Sequence, residues 1–241
     1  MPDETRDPRT VFAMGGGGFS MEPDNLALDR YILAQVAREK PKVCFLGTAS
    51  GDAQELIDRF HDALGPLGAD TSHLSLLRYN QPNPHEHLLQ QDVIYVGGGN
   101  SFQMLLVWRG HGIDKTLRRA WEQGTVLCGL SAGSLCWFEG SVSDSWGRPL
   151  RVLDDGLGFL PGSHCPHYDG AADRAALYHQ SIASGALPAG IAIDDSCGVL
   201  YRGTQRVESV ASVSGKRSYE ISAEDGEVRI VPIATRLLPQ D

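Results

Sequence analysis

Thr125-Val126-Leu127-Cys128-Gly129-Leu130-Ser131-Ala132-Gly133-Ser134-Leu135-Cys136-Trp137-Phe138 decides the fold of this chain. Its first four residues are apolar or β-branched and read as a buried strand. Its last five read as the opening turns of a helix. Between them Gly129-Leu130-Ser131-Ala132-Gly133 is a full G-x-S-x-G match. A serine held between strand and helix sits on a tight turn, with its hydroxyl clear of the backbone and the next N–H directed into the same space. Glycines and serines also populate ordinary turns, so the motif has weight only because the strand and helix flank it.

Working outward, apolar runs alternate with helical patterns. Val11-Phe12-Ala13-Met14 reads as a strand ending in Gly15-Gly16-Gly17-Gly18. Residues 25–40 read as a helix capped by Asn25, with Leu28, Ile32, Leu33 and Val36 on one face. Lys42-Val43-Cys44-Phe45-Leu46 is a second strand, followed by a helix through Leu64 and a short strand around residues 74–77. Val93-Ile94-Tyr95-Val96 runs into Gly97-Gly98-Gly99-Asn100-Ser101. Two helices fill residues 101–123. This alternation predicts an α/β fold whose mostly parallel sheet is covered by helices on both faces. Ligands in such folds bind in the loops that follow the strands.

After Gly140 the pattern changes. Residues 144–162 are rich in Gly, Pro and Asp and read as loop, and residues 171–184 as a helix. From Gly190 onward, short strands with turns at Gly203, Gly215 and Gly226 predict antiparallel hairpins on the sheet's edge. No repeat or low-complexity linker divides the chain, so one domain over residues 1–241 is expected.

The net charge of -9 lacks the basic footprint of general nucleic-acid binding. No run of 18 apolar residues marks a membrane span. Residues 1–8 are polar, without the apolar segment of a secretory signal, so a cytoplasmic location is expected. Cys44, Cys128, Cys136, Cys165 and Cys197 form no C-x-x-C pair and read as small buried hydrophobes rather than a redox or zinc site.

A serine at its ordinary pKa needs a base, and the base needs an orienting partner. Of eight histidines, His61, His73, His85, His87, His111 and His179 lie in helices, loops or strand starts with no catalytic context. His164 and His167 stand in Ser163-His164-Cys165-Pro166-His167-Tyr168, after the serine helix. His167 is favoured because Pro166 restrains the backbone before it. The H-x-x-H spacing also admits a metal, but no carboxylate pair completes such a site. For the orienting carboxylate, Ile193-Asp194-Asp195-Ser196 offers two candidates. Asp195 shares a side with Ile191 and Ile193 if the strand runs that far; Asp194, Asp144 and Asp169 remain rivals. The order serine, histidine, aspartate departs from the usual α/β-hydrolase order, in which histidine comes last. The Gly97-Gly98-Gly99-Asn100 loop lets backbone N–H groups approach a substrate closely. It satisfies neither G-x-G-x-x-G nor a P-loop, so no nucleotide cofactor is expected.

Together Gly97-Gly98-Gly99-Asn100-Ser101, Gly129-Leu130-Ser131-Ala132-Gly133-Ser134, Cys165-Pro166-His167-Tyr168 and Ile193-Asp194-Asp195 resemble the peptidase E family of serine peptidases, which includes the cyanophycinase branch. The likeness spans roughly residues 11–199 and is weak after Tyr201. It implies a fold like that of class I glutamine amidotransferases, with serine in place of their cysteine. It implies Ser131 as nucleophile, His167 as base, and an oxyanion site made by Gly99 and the Ala132 N–H. The best-known members cleave dipeptides with an N-terminal aspartate and use glutamate where this chain has Asp195, so the resemblance implies peptidase chemistry more firmly than aspartyl specificity. Arg174, seven residues past His167, is the candidate partner for an acidic substrate group. Asn100 is a candidate contact for the substrate's amide or amine. The expected protein is a serine peptidase for dipeptides or short peptides, without metal or cofactor. The alternatives are an isopeptidase or esterase on the same scaffold, or a relative without dipeptidase activity. Pairing of edge hairpins offers a route to a homo-oligomer.

Overall fold

The computed structural model describes residues 7–170 and 172–239. The polar segment read at residues 1–8 lies outside them up to Arg6, as does Ala171 at the expected helix start.

In chain order the elements are β1 (Thr10–Gly16), α1 (Gly18–Met21), α2 (Ala27–Leu33), β2 (Lys42–Leu46), α3 (Gln54–Leu64), β3 (Asp70–Leu74), α4 (Pro84–Leu89), β4 (Val93–Val96), α5 (Ser101–His111), α6 (Ile113–Glu122), β5 (Val126–Leu130) and α7 (Ala132–Leu135). There follow β6 (Gly140–Ser143), β7 (Arg151–Leu153), β8 (Ser163–Cys165), α8 (Ala172–Ala183), β9 (Gly190–Ile193), β10 (Cys197–Arg202), β11 (Gln205–Ala211), β12 (Ser218–Glu224), β13 (Glu227–Ile233) and β14 (Thr235–Leu237).

The main sheet has the order β14-β11-β10-β1-β5-β4-β2-β3. From β1 to β3 every pairing is parallel, and β10 and β11 extend it as an antiparallel hairpin. The near-continuous apolar runs of the parallel strands follow from burial on both faces. Val11, Ala13, Cys44, Leu46, Ile94, Val96 and Leu127 pack on one side with α5 and α6 through Met104, Trp108, Leu117 and Trp121. Their strand neighbours Phe12, Met14, Val43, Phe45, Val93, Tyr95 and Cys128 pack on the other with Phe19, Leu28, Ile57 and Phe60. Successive residues therefore feed opposite cores, as the two-residue period of a strand requires. All five cysteines are buried and free.

Besides the mostly parallel main sheet there is a second sheet, β13-β12-β9-β8-β6-β7. Only the β10–β11 hairpin joins the main sheet; the β12–β13 hairpin closes the second one. Part of the presumed 144–162 loop is strand, β7, paired with β6. The core of the second sheet, with Val142, Cys165 and Ile221, is covered by Tyr178 and Ile182 of α8.

Two further expectations shift. The third strand is the polar Asp70–Leu74 rather than residues 74–77; it is an edge strand, half-covered, so its sequence shows no apolar run. The first long helix ends at Leu33, after which Gln35 and Val36 bond back three residues to Ile32 and Leu33 in tighter turns.

Candidate active site

Ser131 follows the last residue of β5 and has φ 55° and ψ -117°. These angles match the first central position of a type II′ turn, normally held by glycine. The turn is enforced from both sides. A Cβ on Gly133 would stand 2.2 Å from the Val96 carbonyl oxygen, and one on Gly129 would stand 2.3 Å from the Gly133 oxygen. The two motif glycines therefore let α7 close directly onto β4 and β5, leaving the serine at the corner, half-buried.

The His–Asp pair comes from the second sheet. β8 and β9 run parallel, with His164 opposite Ile191 and Cys165 opposite Ala192. Beyond Cys165 the Tyr168 N–H donates to the Ile193 carbonyl at 3.1 Å. The two strand ends thus bring His167 and Asp195 side by side, with Nδ1 to Oδ1 at 2.6 Å. A carboxylate only accepts, so Nδ1 is the donor in this bond. The strand alternation used to place Asp195 does not apply, because β9 ends at Ile193; Asp195 reaches the histidine from a turn in which Ser196 has φ 60°. His167 too has positive φ, 52°. Left-handed backbone at three non-glycine residues of one site is strain that the surrounding fold must hold.

The rival carboxylates have other partners. Asp144 faces Arg174 at 3.4 Å. Asp194 accepts the Arg217 N–H at 3.1 Å and its other oxygen is buried without a partner; burial pushes its pKa upward. Asp169 accepts the Asp195 N–H at 2.9 Å and pairs with Lys216. Burial opposes its ionisation, but these bonds outweigh that and hold its carboxyl below the usual range.

The two halves of the site meet at β1. Met14 pairs with Leu130, the residue before Ser131. Two residues on, a Cβ on Gly16 would touch both Asp195 and His167, and the Gly16 carbonyl accepts the Ser196 N–H at 3.1 Å. Serine, histidine and aspartate therefore gather beyond the carboxyl ends of β5, β8 and β9, around the end of β1. Among the described residues no hydrogen bond joins Ser131 to His167. The Gly15-Gly16-Gly17-Gly18 run, read from sequence only as a turn, was the available signal for this junction.

On the other side of the serine, a Cβ on Gly98 would lie 3.3 Å from the Ser131 Cβ. Gly99, with φ 136°, packs so tightly on Ala49 that a Cβ would fall 2.2 Å from its oxygen. The N–H groups of Gly98, Gly99, Ala132 and Gly133 make no hydrogen bond within the described residues. Gly97 and Asn100 N–H are taken by Leu46 and Ala49 carbonyls.

Two expected substrate contacts sit differently. Asn100 caps α5, accepting the Gln103 N–H at 2.9 Å, and donates to the Ser145 carbonyl at 2.8 Å. Both ends of its amide are used inside the protein. Arg174 is buried, donating to the Val142 carbonyl at 3.0 Å and lying against Asp144; an incoming carboxylate would have to displace Asp144. His164 is a core residue. Its Nδ1 donates to the Ile191 carbonyl at 3.1 Å, and Nε2 meets the Ser134 hydroxyl at 2.7 Å.

A serine on a strained strand-to-helix corner is a feature of serine-type hydrolases. Sequence comparison narrows the class: the chain belongs to peptidase family S51, whose profile matches residues 11–208. It is a serine-type peptidase of the peptidase E kind. It is 47% identical over 230 residues to the uncharacterized peptidase YgaJ of Bacillus subtilis (strain 168), covering 95% of this chain and 99% of that one. It is 28% identical over 123 residues to peptidase E of Salmonella arizonae (strain ATCC BAA-731 / CDC346-86 / RSK2980), covering 48% of this chain and 50% of the relative. The crystal structure of a peptidase from an acI-B1 Actinobacterium has the same fold, with TM-score 0.66 at 19% identity over 92% of this chain and 96% of that one. Among the described residues no helix is long and apolar enough to cross a membrane.

Proposed function

We propose that the chain, acting as one domain in the cytoplasm, hydrolyses dipeptides and other short peptides through Ser131, His167 and Asp195. The observation that carries this reading is the 2.6 Å His167–Asp195 bond at the strand ends beside the serine corner. Ser131 Oγ attacks the scissile carbonyl while His167 Nε2 takes its proton. Asp195 holds the ring and stabilises the imidazolium. The developing oxyanion falls among the Ala132 N–H and the Gly98 and Gly99 N–H groups; one such donor is worth roughly 3–4 kcal/mol in the transition state. His167 returns the proton to the leaving amine, and water then releases the acyl group by the same route. Asp195 is one methylene shorter than glutamate, and the turn at Ser196 supplies the missing reach.

The test is a dipeptide panel with varied first residue, Asp-X included, run with wild type and Ser131→Ala. Ser131→Ala is expected to lower turnover by about 10⁴–10⁶-fold at unchanged melting temperature. An undiminished rate in that variant would remove Ser131 from the chemistry. Ester and isopeptide substrates in the same panel read the bond type.

A further inference from the structure

We infer that Phe102 and Trp146 form an apolar subsite beside the Gly98–Gly99 donors, which receives an aromatic or large aliphatic side chain of the substrate; this rests on reading the Ser131 site as a peptidase. Three of the four tryptophans, Trp108, Trp121 and Trp137, are buried, whereas Trp146 is 37% exposed. Phe102 is 37% exposed as well, and the two rings lie 4.9 Å apart at 41°.

Their position is set by the site. Phe102 is the second residue of α5, three after Gly99. Trp146 stands on the 144–148 loop, which Ser145 ties to the donor loop. The Ser145 carbonyl accepts Asn100 Nδ2 at 2.8 Å, and its hydroxyl oxygen accepts the Phe102 N–H at 3.1 Å. The far side of the same loop is held to α8, by Asp144 against Arg174 and Arg148 against Asp173. The aromatic pair is thus anchored at both ends rather than hung on a free loop.

The charges around it favour an apolar occupant. Arg148 and Arg174 are each paired with a carboxylate, and Arg151 lies over the Trp146 ring at 5.9 Å, where its charge is directed at the π face. What remains uncommitted is ring surface, and peptide sites take their affinity from such surface while a few polar groups fix orientation. Asn100, expected to touch substrate directly, acts here as the tie between the donor loop and the subsite.

Trp146 is also the probe. In the Ser131→Ala variant, tryptophan fluorescence is followed against iodide quenching while Ala-Phe, Phe-Ala, Ala-Leu, Leu-Ala, Ala-Gly and Asp-Ala are titrated. Trp146→Phe in the same background identifies the quenchable signal. A phenylalanine or leucine peptide is expected to protect at roughly ten-fold lower concentration than Ala-Gly, and Phe102→Ala to erase most of the difference. Equal protection by all peptides, none by any, or protection by Asp-Ala alone overturns the subsite. This readout needs no turnover. Failure of the peptidase reading would appear in the activity panel, and failure of the subsite in the quenching.

Discussion

Gly16 leaves no room for a methyl group beside Asp195: a Cβ there would stand 2.1 Å from Oδ1, and 3.0 Å from His167 Cε1. Gly16 has no positive φ, so its backbone would accept alanine and the constraint is space alone. Gly16→Ala is expected to push the carboxylate off the imidazole and lower kcat/KM by about 100-fold or more, the scale of an ångström's misplacement. Gly110→Ala is the control. Nothing lies within 4 Å of a Cβ at that position in α5, so activity should hold and stability rise by roughly 0.5–1 kcal/mol. Parallel kinetics and thermal melts read both; a Gly16→Ala enzyme with wild-type kcat/KM would show that the pair tolerates displacement.

Ser131 bears the opposite kind of constraint, conformational rather than steric. With φ 55° and ψ -117° the position suits glycine, and relief of such strain is worth about 1–3 kcal/mol. Ser131→Gly should therefore be more stable than wild type in urea titration, and inactive. If its midpoint equals or falls below the wild-type value, the corner is not strained.

His164 couples the serine helix to the second sheet. Nδ1–H donates to the Ile191 carbonyl, so Nε2 accepts the Ser134 hydroxyl. Ser134→Ala leaves that nitrogen buried and unpaired, at a cost of about 1–3 kcal/mol. Burial lowers the His164 pKa to about 3, while an unfolded histidine titrates near 6.5. The unfolded state thus binds the extra proton between those values. Stability from this group is complete above pH ~6.5 and is lost as pH falls toward 3. Urea midpoints at pH 7.5 and 4.5 should differ less for His164→Gln than for wild type.

Asp29 gives a pH dependence of the reverse sign. It is fully buried, with Oδ1 accepting from Tyr95 at 3.2 Å and Oδ2 without a partner. Burial raises its pKa to about 7. The folded state keeps a proton that the unfolded chain releases near pH ~3.9, so stability is complete below that pH and is lost as pH rises toward 7. Asp29→Asn should match wild type at pH 4 and exceed it at pH 8 by a margin on the order of 4 kcal/mol. Equal stabilities at pH 8 would place the native pKa near its unperturbed value.

Local signals carried much of this. Apolar β-branched runs bounded by glycine marked β1, β2, β4 and β5, because strands buried on both faces need apolar residues at every position. The edge strand β3 escaped because half of it faces water. Pro166 before His167 directed attention to the histidine that lies against Asp195. The choice among Asp144, Asp169, Asp194 and Asp195 was not legible, since local sequence does not say which turn residue faces a strand in another part of the chain. The glycine run at residues 15–18 announced a turn but not its neighbours.

By itself, then, the sequence determined the parallel sheet and the serine corner, because each follows from a contiguous stretch and its own backbone preferences. Only the tertiary structure decided that there are two sheets and that β8 and β9 pair in parallel. From that pairing came Asp195 as the partner of His167; other long-range contacts made Arg174 and Asn100 internal ties and set Phe102 against Trp146. These are contacts across 28 to 45 residues of chain, and no local pattern encodes which strand ends meet.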